Sequence, residues 1–152
     1  MKLAEALLLR ADIKQRLIGL RERIGSNCTV QEGDEPNENP QEMIEEFFRI
    51  LQEQESLTVR VHKTNLSATA DDGRSIENMI ALRDKLVAEH SLIKHVTTSC
   101  TTSSYSYSQR EVKWKSVLKV PGLQKQADDL SKKIRDLNIK LQETNWRVDL
   151  VD

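Results

Sequence analysis

Apolar residues return every three or four positions through four long stretches of the chain, the spacing of one helix face. In the first stretch Ala6, Ile13, Leu17, Leu20 and Ile24 keep this spacing, with Arg10 on the same line. It predicts a helix over about residues 3–24, closed by Gly25 and Ser26. The second opens with Asn39 as N-cap, Pro40 at the first helical position and Glu42 two residues on. Its seam is Met43, Phe47, Ile50, Gln54, Leu57, Val61, Thr64 and Ala68, a helix over 40–69 that stops before the turn signal Asp71-Asp72-Gly73. The third, over 75–100, carries Ile76, Met79, Arg83, Leu86, His90, Ile93, Thr97 and Cys100. The fourth, over 122–146 and on to Val148, has the most regular heptads: Leu123, Ala127, Leu130, Ile134, Leu137, Leu141, Thr144 and Val148.

The period changes to two at Val112, Trp114, Ser116, Leu118 and Val120, which alternate with Lys113, Lys115, Val117 and Lys119. This predicts a strand over 111–120. A strand needs a partner. Residues 28–31 can supply one within the chain, and another subunit is the alternative.

Amphipathic helices must bury their stripes against one another. The expected fold is mainly α: a single domain over 1–152, a four-helix antiparallel bundle with long helices and a small two-stranded β element. Helices this long leave apolar stripe uncovered, so a homo-oligomer is expected. No repeat of solenoid period is present.

Composition supports helices. The 152 residues include only 5 glycines, 3 prolines and 4% aromatics, against 31% charged residues. Net charge is −1, so no nucleic-acid partner is expected. Charge is uneven along the chain. Nine acids against Arg49 in residues 31–55 give −8, and nine bases against four acids in 110–140 give +5. Such blocks read first as solvated faces and second as complementary surfaces within or between subunits. The two cysteines, Cys28 and Cys100, stand far apart in no paired motif, as in a reducing compartment. The apolar run at Ala6–Leu9 is too short for a signal peptide, and no segment approaches the ~20 apolar residues that span a bilayer. A cytoplasmic location without a membrane partner is the expectation.

Few residues suggest chemistry. Arg83 and His90 lie seven apart on one face of the third helix, Arg10 on the seam of the first, Asn65 and Asn145 beside the seams of the second and fourth. Buried charge must be paired, and Asp12, Asp84, Asp128 and Asp129 are the candidate partners. A polar layer that sets register explains these residues first. A small-molecule or anion site around Arg83 and His90 is the alternative. His90 and His95 are five apart, wrong for two ligands on one helix face, and there is no Glu-x-x-His or zinc-ligand cysteine spacing. No metal or cofactor is expected.

Several stretches together resemble a family. The opening Leu3-Ala4-Glu5-Ala6-Leu7-Leu8-Leu9-Arg10-Ala11-Asp12, then Val30–Pro36, Arg83-Asp84 with His90-Ser91, and Leu123–Leu130 with Asn145-Trp146 resemble the septicolysin-like proteins, small bacterial helical proteins. The resemblance implies a helical fold. It also implies that Arg10, Asp12, Asn65, Arg83, Asp84, His90, Gln124, Asp128, Asn145 and Trp146 form one constellation. The family label implies a cytolysin. The residues themselves favour a structural or interaction protein without catalysis of its own.

Overall fold

The computed structural model describes residues 1–102 and 115–152. Four helices account for most of them: α1 (Leu3–Asn27), α2 (Pro40–Ser67), α3 (Ile76–Thr102) and α4 (Val120–Arg147). The class is mainly α, and no strand occurs among the described residues. The β element expected over 28–31 and 111–120 is therefore corrected. Cys28 caps α1, and residues 29–31 are irregular up to a turn in which Asp34 N–H donates to Gln31 O at 3.0 Å. Residues 111–114 lie outside the described residues, and 115–119 form an irregular lead into α4. The reason is burial. Alternation specifies a strand only where one face is covered, and Leu118, on the side meant to be covered, is 49% exposed.

Local chemistry sets the helix ends. Asn39 Oδ1 accepts the backbone N–H groups of Gln41 (3.0 Å) and Glu42 (3.4 Å), and Pro40 occupies the position whose N–H would be idle. Ser75 Oγ accepts from Asn78 N–H at 3.1 Å and caps α3. Helix α1 runs past Gly25 to Asn27. There the Ser26 hydroxyl and the Asn27 amide both donate to Arg23 O.

The chain divides into two compact units. The first comprises Met1–Ala68 and Thr144–Asp152. Within it α1 and α2 pack antiparallel, as the ion pairs Arg16–Glu46 and Arg23–Glu38 show by their order. The seam buries Leu3, Ala6, Ile13, Leu17 and Leu20 of α1 with Met43, Ile50, Leu57 and Val61 of α2. The tail from Val148 to Asp152 is strapped down on two sides. Leu3 N–H donates to Val148 O and Leu150 N–H to Met1 O, each at 2.9 Å. Val151 N–H donates to Thr64 Oγ1 at 3.0 Å, and Arg60 reaches Val151 O (3.1 Å) and the Asp152 carboxylate (2.7 Å).

The second unit is Thr69–Glu143. It begins with a tight turn in which Gly73 takes φ +78, a conformation glycine adopts without strain. Ala70 N–H donates to Arg74 O and Gly73 N–H to Ala70 O, each at 2.9 Å. Helices α3 and α4 run antiparallel here, with Lys140 near Asp72 and Ser131 near His90. Ile76, Met79, Ala127, Leu130, Leu137 and Leu141 are buried.

Candidate functional site

In the second unit, Arg83 and His90, the alternative ligand site of the third helix, are divided between separate partners. Arg83 donates to the carboxylate of its neighbour Asp84 from Nε (3.1 Å) and Nη2 (2.8 Å), with Asp84 largely exposed. His90, half-buried, shares a hydrogen bond of 3.0 Å with Ser131 Oγ on α4. A serine beside a histidine is the start of a nucleophile–base pair. Acyl transfer also needs free N–H donors aimed at the oxyanion. Both residues sit inside helices, where backbone N–H groups are spent on the i−4 carbonyls. The bond therefore serves as a polar tie between helices. Gln124 and Asp128 stand exposed on α4.

In the first unit, Arg10 is half-buried on α1 and Asp12 is exposed. Asn65 and Asn145 are buried near the ends of α2 and α4, each following a buried threonine. Asn145 Oδ1 has no hydrogen-bond partner among the described residues. Trp146 beside it is half exposed, at 53%. Of these ten residues, Arg83 and Asp84 are brought together by hydrogen bonds among the described residues. No group of three metal-ligating side chains occurs among the described residues.

The strongest electrostatic perturbation lies elsewhere, at the turn before α3. The Arg74 guanidinium and backbone N–H hold the Asp72 carboxyl well below the usual carboxylate range, and Lys140 adds to this. Lys2 similarly lowers Asp149, where the tail meets the start of α1. Both are joints between elements, so their chemistry is structural.

Following one apolar seam per helix misses a further feature of α2. Its outer side carries Phe48 (60% exposed), Val59 (49%) and Leu66 (67%), with Leu51 at the edge. These residues are eleven and eighteen positions from Phe48, about three and five turns, so they lie in one line. A second stripe at helical spacing, opposite Met43, Ile50, Leu57 and Val61, is the signal that finds it.

A family model described as "Family of unknown function (DUF6847)" matches residues 10–150. A crystal structure of a functionally unknown conserved protein from Corynebacterium diphtheriae superposes with a TM-score of 0.93. It is 29% identical, over 99% of this chain and 99% of that one. No curated protein matches. The family match overturns the septicolysin-like resemblance: most of the stretches that carried it are ordinary amphipathic helix, and Val30–Pro36 is a loop with a turn. The cytolysin expectation came from that label and goes with it. Among the described residues no helix is long and apolar enough to cross a membrane.

Proposed function

This chain belongs to the family of unknown function DUF6847, and from that premise we propose that it is a homo-oligomeric structural or interaction protein of the cytoplasm, without catalysis of its own. The observation that carries the reading is the outer side of α2. One face of α2 lies against α1, whereas Phe48, Val59 and Leu66 are left in solvent. Exposed apolar stripes of this kind mark association surfaces. The cytoplasmic placement is supported by the sequence, in which Cys28 and Cys100 stand far apart in no paired motif. The separate partners of Arg83 and His90 weigh against a ligand site around that pair.

Sedimentation velocity over a wide concentration range tests the reading. The expected result is a species heavier than the 17.4 kDa monomer, growing with concentration. A monomer at every concentration refutes it.

A further inference from the structure

The chain contains one helical element twice, and the corner that follows its first copy holds a chemically labile step. Helices α2 and α4 are both 28 residues long and start 80 positions apart. At that offset Leu57 matches Leu137, Val61 matches Leu141, and Thr64-Asn65 matches Thr144-Asn145, all buried. The corner pairs match as well. Arg60 meets the Asp152 carboxylate at 2.7 Å, and at the same offset Lys140 meets the Asp72 carboxylate at 3.3 Å. A carboxylate at this place therefore belongs to the corner in both copies. Glycine is fixed beside it after α2, because Gly73 takes φ +78, where a side chain would be strained. Together they make Asp72-Gly73, the only Asp-Gly step in a sequence that has no Asn-Gly step.

Aspartate rearranges most readily before glycine, which has no side chain to shield its amide nitrogen. That nitrogen attacks Asp72 Cγ. The new N–Cγ bond closes a five-membered succinimide, and the amide proton and the carboxyl OH leave as water. Water then adds to the former backbone carbonyl and breaks its bond to nitrogen. The chain now runs through Cβ and Cγ, one atom longer, and the old carbonyl is a free carboxylate. Composition is unchanged, and water is the only co-reactant.

The folded corner opposes each requirement. The nitrogen must lose its proton, and the Gly73 N–H is donated to Ala70 O at 2.9 Å. The Asp72 carboxyl must turn onto that nitrogen. It is held instead by the Arg74 backbone N–H (3.2 Å), by Arg74 Nε (3.1 Å) and Nη2 (2.6 Å), and by Lys140 Nζ (3.3 Å). These donors also keep it charged, and a carboxylate resists attack where the neutral acid does not. Both residues of the step are exposed, so water for the second stage is at hand.

We propose that Asp72-Gly73 is a modification site, where isoaspartate forms spontaneously when the corner opens and where Arg74 and Lys140 suppress it in the folded chain. The product cannot rebuild the corner. The extra backbone atom shifts the Gly73 N–H away from Ala70 O, and the new carboxylate sits directly on Cα, one carbon short of Arg74 and Lys140. The site thus records the time the corner has spent open. This inference stands apart from the oligomeric reading.

The test is isoaspartate content at each aspartate, read by peptide mapping and fragmentation mass spectrometry on the full chain kept at neutral pH and physiological temperature. In concentrated urea it is expected to accumulate at Asp72 ahead of every other aspartate. The folded parent is expected to accumulate it there at least about tenfold more slowly. Arg74→Ala removes two of the four bonds and should raise the folded rate about tenfold, and Lys140→Ala should raise it severalfold. Asn39→Ala, which loosens the other end of α2, should leave the rate unchanged. Asp72→Glu, whose longer side chain closes a ring far more slowly, should abolish the signal. No preference for Asp72 in urea overturns the site. Equal rates in urea and in the folded parent overturn the protection, as does an Arg74→Ala chain no faster than Asn39→Ala. If Arg74→Ala loses helicity by circular dichroism, Lys140→Ala decides.

Discussion

Replacing Thr64 by valine isolates what one side-chain hydroxyl does for the C-terminal strap. Thr64 is fully buried. Its Oγ1 donates to Arg60 O at 2.8 Å and accepts the Val151 amide at 3.0 Å. The first bond is expendable, because Arg60 O keeps the helical partner that the α2 ladder supplies. The second is the amide's own bond. Valine keeps the branched shape at Cβ but offers the Val151 N–H nothing. A fully buried orphan amide costs about 1–3 kcal/mol, and a typical net hydrogen bond about 1 kcal/mol. Val151 is 43% exposed, so water can reach its amide once the tail lifts, and the lower figure applies. About 1 kcal/mol lowers Tm by roughly 2–4 °C in a chain of this size. It raises local opening about fivefold, because that energy sits in the tail alone. Hydrogen exchange read by NMR should show faster exchange at Val151 and Leu150, with amides in the middle of α2 unaffected. Equal protection of Val151 in the variant, with Tm unchanged within 1 °C, would show that the strap is held by Arg60 and the Leu150 side chain, and that the hydroxyl contributes nothing.

Met79 has no exposed surface, so Met79→Ala should cost about 2–5 kcal/mol in chemical denaturation; a loss under 1 kcal/mol would mean the second unit is loosely packed around it. Asn39→Ala should cost about 1 kcal/mol and fray the first turn of α2, visible as faster exchange at Gln41 and Glu42, whereas Asn39→Gly should cost only a few tenths. Asp72 has its carboxyl pKa lowered in the folded state, so its contribution to stability is full above the unfolded value near 4 and fades as pH falls toward the folded one. NMR titration should therefore find the Asp72 carboxylate still charged at a pH where exposed carboxylates are protonated, and Arg74→Ala should return it toward the ordinary range. An Asp72 that titrates like its neighbours would contradict the turn geometry.

The elements legible in the amino-acid order are those with a chemical marker at the end and a continuous seam between. Asn39-Pro40 and Ser75 announce helix starts, and the caps form where they stand. Gly25 misleads because a glycine signals a stop only when the chain needs positive φ, and the backbone there stays helical to Asn27. The alternation misleads over 115–120 because period two records only that residues point in turn to two sides; whether a sheet covers either side is a tertiary matter, and Leu118 on the apolar side lies half bare. The polar seam residues show a further gap. A line of Arg83 and His90 on one helix face says nothing of their partners, and those proved to be the adjacent Asp84 and, across helices, Ser131. The doubled element was also in plain view, because the seams of α2 and α4 coincide position for position at 80 residues. A period of that length lies beyond the spacing at which solenoid repeats declare themselves.

The bridge between Lys2 and Asp149 copies the one between Thr69 and Ser75, except that no peptide bond closes its loop. Each unit thus holds one such corner, closed by the chain in the second and open in the first. A circularly permuted chain, sealed from Asp152 to Met1 through a short glycine-containing linker and reopened between Asp72 and Gly73, would exchange the closed joint for the open one. Retention of the fold by such a chain would show that the bridge at Lys2 and Asp149 holds its corner without help from chain connectivity.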